Sequence, residues 1–160
     1  RRAAEQGAPA LVIGSTGFTP EQDAEIQAAA EKVAIVRSGN FSLGVNILIG
    51  LVEHAALRLD AHDWDIEILE AHHRRKLDAP SGTALTLGAA AGEGGATPRY
   101  ASIRAGDIVG EHLVQFTGIG ERIELVHRAG DRDIFARGAL HAARALVGRA
   151  PGRYRVHDLL

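Results

Sequence analysis

Apolar residues in this chain fall into short continuous runs and longer stripes at helical spacing, and the order of the two sets the expected layout. Residues 10–13 (Ala-Leu-Val-Ile) form a run that closes on Gly14-Ser15-Thr16-Gly17, the pattern of a buried parallel strand leaving into a tight turn. Thr19 as N-cap, Pro20 at the first helical position and Gln22 two residues later form a capping box, and Ile26, Ala29, Ala30 and Val33 follow at helical spacing. A second strand over residues 34–37 comes next. A strand-helix-strand unit of this length is half of a doubly wound sheet, with a right-handed crossover.

Beyond the turn Ser38-Gly39-Asn40, Ser42 is placed to cap a long helix striped by Leu48, Leu51, Val52, Ala55 and Leu59. Alternation at Asp65-Ile66-Glu67-Ile68 predicts a strand that continues to His72 and breaks at Asp78-Ala79-Pro80. Ser81 opens another helix, which runs to a flexible stretch at residues 92–96. Extended segments are expected around residues 101–104, 112–117 and 122–127, divided by Gly106, Gly110, Gly118 and Gly120. Ala136, Leu140, Ala143 and Val147 stripe a last helix, and residues 154–160 read as a polar tail. The expected fold class is α/β, a piece of a Rossmann-like parallel sheet followed by an α+β mixed-sheet domain.

Composition narrows the chemistry. Of 160 residues 46% are hydrophobic, 24% are charged and none is cysteine, so neither a disulfide framework nor a thiolate metal site is available. A formal charge of −2 gives no general attraction to nucleic acid or anionic lipid. The longest apolar run, residues 45–52, includes Asn46 and Gly50 and is far shorter than the ~20 residues of a membrane span. Arg1-Arg2 is followed by no apolar stretch, which argues against a secretory signal, and the lack of any methionine suggests a processed or truncated product. A reducing, cytoplasmic setting fits.

One run stands out: Glu70-Ala71-His72-His73-Arg74-Arg75-Lys76-Leu77-Asp78-Ala79-Pro80-Ser81-Gly82-Thr83. A substrate with two carboxylates would meet the Lys76 point charge, imidazole donors, and the backbone N–H groups of Gly82 and Thr83 at the positive end of a helix. The Ser81 and Thr83 hydroxyls add donors. The same run is compatible with a solvated basic turn in which Ser81 is a plain N-cap. It is a poor metal site, because adjacent histidines on an extended chain point to opposite faces. Gly14-Ser15-Thr16-Gly17 and Ser38-Gly39-Asn40-Phe41, at two successive strand exits, would face one crevice suited to a nucleotide. Glycine-rich exits also serve turning alone, and no Gly-x-Gly-x-x-Gly fingerprint occurs.

Together, Gly14 to Phe18, Ser38 to Asn46, Glu70 to Thr83, Arg104-Ala105-Gly106-Asp107-Ile108-Val109-Gly110-Glu111-His112 and Gly120-Glu121-Arg122 resemble the dihydrodipicolinate reductase family, in order along almost the whole chain. The resemblance implies hydride transfer from NADH or NADPH to the cyclic imine formed from 4-hydroxy-tetrahydrodipicolinate, giving tetrahydrodipicolinate in lysine and diaminopimelate biosynthesis. It makes His72 the acid/base residue and Lys76 the proton donor. His73, Ser81, Gly82, Thr83 and Arg132 would bind a small dicarboxylate substrate, and Gly14, Ser15, Thr16, Ser38, Gly39, Asn40 and Phe41 would border the nicotinamide. It also implies a cytoplasmic homotetramer, with neither a metal nor a nucleic-acid or membrane partner.

On that resemblance residues 1–41 are a partial dinucleotide-binding domain, 42–131 a substrate-binding and oligomerisation domain, and 132–160 a helix and tail returning to the nucleotide domain. The family's opening strand, phosphate turn and ribose-reading residue do not precede Arg1, so this fragment is expected to turn over poorly by itself. The connection at residues 92–101 is shorter than usual in the family, which would alter sheet-edge or subunit contacts. Two rivals remain at this point. Another Rossmann-linked reductase would share the layout without the His-His-x-x-Lys cluster, and a non-catalytic ligand-binding or assembly module would need no complete cofactor site.

Overall fold

The computed structural model describes residues 2–160, which form two compact units. The first comprises the chain up to Asn46 together with Asp133–Leu160, and the second is Ile47–Arg132.

In the first unit a short α1 (Arg2–Glu5) precedes β1 (Leu11–Ile13), α2 (Pro20–Ala30) and β2 (Ala34–Arg37). The capping box forms as the sequence predicts: the Gln22 N–H donates to Thr19 Oγ1 at 3.3 Å, and the Thr19 N–H donates to Gln22 Oε1 at 3.0 Å. Parallel pairing gives the sheet order β1-β2-β7, with β7 at Gly152–Tyr154. The central β2 is buried on both sides: Ala34 and Val36 pack with Phe41, Ala142 and Leu146, while Ile35 packs with Ala29, Ala30 and Val33. That is why its sequence is continuously apolar rather than alternating.

Two expectations fail here. On α5 (Asp133–Leu146) the buried residues are Gly138, Ala142 and Leu146, whereas Leu140 and Val147 are 60% and 69% exposed. The expected stripe followed the larger apolar residues, but the contact is made by small ones: a Cβ on Gly138 would stand 1.7 Å from the Phe41 carbonyl oxygen. Close backbone approach needs a glycine and leaves no hydrophobic signature. The expected polar tail, residues 154–160, also has structure: Tyr154 ends β7, and a 3-10 turn (Val156–Leu159) follows whose Val156 and Leu159 enter the core.

The second unit is a four-stranded sheet in the order β4-β3-β5-β6, from β3 (Asp65–His72), β4 (Arg99–Arg104), β5 (Gly110–Gly118) and β6 (Glu121–Ala129). β3 runs parallel to β4 and antiparallel to β5, which pairs antiparallel with β6. Leu48, Val52 and Ala56 of α3 (Leu43–Ala56) and Ala84, Leu87 and Ala91 of α4 (Gly82–Gly92) join Ile66, Ile68, Val114 and Phe116 in one core. Leu51, expected in that stripe, is 50% exposed because Leu48, Val52 and Ala56 define the packing face. The short connection into β4 passes the end of α3 at Gly94, where a Cβ would come within 2.1 Å of the Ala56 carbonyl oxygen. Among the described residues no helix is long and apolar enough to cross a membrane.

Candidate active site

Alternation along β3 sends Ile66, Ile68, Glu70 and His72 to the same buried face. The first two extend the apolar core, and the next two place a carboxylate and an imidazole in its continuation. Gly110 and His112 of β5 lie on that face too. A buried carboxylate is costly unless paired, and Glu70 is paired fully. Arg104, at the end of β4, grips it in bidentate fashion, Nη1 to Oε2 at 2.8 Å and Nη2 to Oε1 at 2.6 Å. The Ser81 N–H donates to Oε1 at 3.3 Å, and His72 Nδ1 lies 2.5 Å from Oε2. Burial alone would push the Glu70 carboxyl upward, but the Arg104, Ser102 and His72 hydrogen bonds outweigh it and hold the group at about 2.

His112 completes the buried cluster. Its ring meets that of His72 edge to face, 5.2 Å between centroids, and its Nε2 lies 3.2 Å from Ser81 Oγ. Burial, reinforced by the facing His72, pushes the His112 imidazole down to about 4 and keeps it neutral near pH 7. Ser81 Oγ also accepts the Ala84 N–H at 3.2 Å, which caps α4. The Ser81 side chain is therefore enclosed and acts on the helix it begins, with Gly82 and Thr83 in the first turn. Gly82 is exposed, and a Cβ there would meet nothing within 4 Å, so the space beside this helix start is open.

The loop after His72 carries the charged residues. Its geometry is tied to β4, since the Ala105 N–H donates to the His72 carbonyl at 2.9 Å, the Arg74 N–H to Gly106 at 3.1 Å, and Arg104 Nη2 to the Asp78 carbonyl at 2.7 Å. Lys76 Nζ pairs with Asp78 Oδ1 at 2.8 Å, and this bond holds the Asp78 carboxyl below its usual range. His73 is half-buried, and its imidazole is lowered by desolvation and by Arg75, Arg132, His72 and Lys76 in turn. Arg132 is exposed, in the electrostatic reach of His73.

The other predicted residues lie in the first unit. Gly14, Ser15 and Thr16 leave the carboxyl end of β1 and are exposed, while Ser38, Gly39 and Asn40 leave β2 beside them, joined by a Ser38 N–H bond to the Ile13 carbonyl at 3.1 Å. Asn40 Oδ1 accepts the Ser42 N–H at 2.9 Å, and the Ser42 hydroxyl accepts the Val45 N–H at 3.3 Å to start α3. Thr16 packs against Gly39, where a Cβ would be 3.2 Å from its Cγ2, so both loops are held close by a missing side chain. Phe41 is buried, its ring against Gly14 and its backbone against Gly138. Glu70, Arg104, Gly110 and His112 belong to the quoted motifs but received no role from sequence. A charged residue two positions from His72 on an apolar face was the available signal for Glu70.

The fold and the cluster define a two-unit α/β protein, with exposed loops at the carboxyl ends of a parallel sheet and a buried histidine-carboxylate group in a mixed one. Family models of "Dihydrodipicolinate reductase, N-terminus" and "Dihydrodipicolinate reductase, C-terminus" match residues 1–41 and 44–160. The chain belongs to the dihydrodipicolinate reductase family. It is 66% identical over 156 residues to the 4-hydroxy-tetrahydrodipicolinate reductase of Stenotrophomonas maltophilia strain K279a, covering 98% of this chain and 64% of that protein. To the protein of the same name from Xanthomonas euvesicatoria pv. vesicatoria strain 85-10 it is 62% identical over 157 residues, covering 98% and 65%. Among solved structures, a dipicolinate-bound dihydrodipicolinate reductase from Paenisporosarcina sp. TG-14 superposes with a TM-score of 0.76 at 26% identity, covering 93% of this chain and 64% of that one. The chain thus spans just under two thirds of these relatives' lengths.

Proposed function

We propose that the chain carries the substrate-binding and acid/base machinery of a 4-hydroxy-tetrahydrodipicolinate reductase, which reduces the cyclic imine derived from 4-hydroxy-tetrahydrodipicolinate to tetrahydrodipicolinate. The observation that carries this reading is the His72 imidazole, fixed through Nδ1 on an ionised buried carboxylate beside a lysine loop and a capped helix start. The names borne by relatives at 62–66% identity support it. The dipicolinate held by the Paenisporosarcina protein supports a small dicarboxylate as ligand.

Gly14, Ser15, Thr16, Ser38, Gly39, Asn40 and Phe41 would hold the nicotinamide of NADH or NADPH, since two adjacent loops at the carboxyl ends of parallel strands, drawn together through glycine, suit a nucleotide. When bound, that group supplies the hydride. The protein's own residues manage charge and protons. His73, Arg132 and the first-turn N–H groups of Gly82 and Thr83 hold the substrate carboxylates, while Ser81 keeps that turn in place. Lys76, exchanging Asp78 for substrate, donates a proton to the electron density left by reduction, and His72 serves as the acid/base group. A homotetramer in the cytoplasm is the assembly and setting we propose, supported by the exposure of Leu69, Ile103 and Val126 on the sheet face opposite the core.

Kinetics in a protein of the relatives' full length test this. His72→Gln is expected to lower kcat by ~10²–10⁴-fold with little change in KM. Lys76→Ala is expected to lower kcat and also weaken substrate binding by roughly 1.5–3 kcal/mol, the range of a charged hydrogen bond. Wild-type kcat and KM in both variants would contradict the assignment.

A further inference from the structure

Glu70 has more partners than a structural ion pair requires, and they come from every side. His72 reaches it from its own strand, Arg104 and Ser102 from β4, and the Ser81 N–H from the start of α4. Its side chain is 0% exposed. A carboxylate gripped in this way accepts hydrogen bonds and has no proton to give. The proton in its 2.5 Å contact with His72 Nδ1 must then belong to the imidazole. In a neutral ring this leaves Nε2 as the basic atom. Nε2 has no hydrogen-bond partner among the described residues, and it faces Gly110, where a Cβ would stand 3.1 Å away. The other titratable groups in reach of the ring are His112 of β5, 5.2 Å away between centroids, and His73 of the following loop, with Lys76 acting on both of these.

We propose that Glu70, clamped by Arg104, is the positioning residue of this site: it fixes the His72 proton on Nδ1 and presents Nε2 as the atom that exchanges a proton with the substrate. This rests on the reading of His72 as the acid/base group. Arg104 serves both halves of the arrangement, because its Nη2 donates to Glu70 and also to the carbonyl of Asp78, in the loop that carries Lys76. Were Glu70 there only to neutralise Arg104 and tie β3 to β4, the tautomer of His72 would not depend on it.

The test uses this chain with 15N-labelled histidine and long-range 1H–15N spectra, at a pH where the imidazole is neutral. Wild type is expected to show His72 protonated on Nδ1 and bare on Nε2. In Glu70→Gln the amide oxygen turns to Arg104 and its NH₂ faces the ring, so the proton should move to Nε2. If that variant does not fold around its unpaired guanidinium, Glu70→Gln with Arg104→Gln removes both charges and should give the same tautomer. In a full-length protein Glu70→Gln should lower kcat by ~10- to 100-fold with KM nearly unchanged, and Glu70→Asp should recover part of the loss. A wild-type ring protonated on Nε2, or folded glutamine variants that keep the proton on Nδ1, would overturn the positioning role. The functional reading fails separately: it falls if His72→Gln keeps wild-type kcat, whatever the tautomer.

Discussion

The loops after β1 and β2 and the cluster at the end of β3 are built from opposite materials. The first is exposed backbone held by glycines, an asparagine turn and one inter-strand hydrogen bond. The second is side chains whose charges are removed from water and matched to one another. A site made of backbone tolerates the loss of a side chain and fails when one is added in the wrong place. A site made of buried charges does the reverse, since deleting one partner strands another.

The strongest way to break that contrast is at Gly138. Gly138→Ala drives a methyl into the Phe41 carbonyl, so we expect a stability loss of about 3 kcal/mol by urea unfolding, the upper range for overpacking. Ser15→Ala, on the exposed loop, should stay within about 0.5 kcal/mol. Equal losses in the two variants would mean that the loops are not organised through the backbone.

Acid sharpens the other side of the comparison. The Glu70 carboxyl sits at about 2 in the folded chain against an ordinary 4.5. A depressed carboxyl contributes stability that is full above its unfolded value and is lost as pH falls through the folded one. The advantage of wild type over Glu70→Gln should therefore be roughly 2–3 kcal/mol above pH ~5 and shrink steadily toward pH ~2. A difference independent of pH would show that the carboxylate is not held ionised by its partners. The smallest effect belongs to the helix start. Thr83→Val should raise KM by about five- to tenfold and leave kcat nearly unchanged, as expected for a group that only holds substrate.

Much of this was legible locally. The capping box at Thr19 and Gln22, the strand ending at His72 and the Ser81 helix start each depend on a few adjacent residues, and the sequence predicts all three. The quoted motifs also carry the family. What escaped depends on distance or on absence. Arg104 meets Glu70 across 34 positions, so the clamp exists only once β3 and β4 pair in register. Gly138 carries its contact by having no side chain, which led the stripe on α5 to the wrong face. Val156 and Leu159 sit among polar residues, and only their docking beside β2 distinguishes them from a tail.

On the function proposed, His72, His73, Lys76, Gly82 and Thr83 would form one dicarboxylate site. Titrating pyridine-2,6-dicarboxylate into the 15N-labelled chain and following every backbone and histidine signal tests it most directly. Saturable shifts are expected on residues 72–76 and 82–83 and on the His72 Nε2, with the β1 and β2 exit loops unchanged. Saturable binding that leaves those signals in place, or no binding at millimolar ligand, would contradict it.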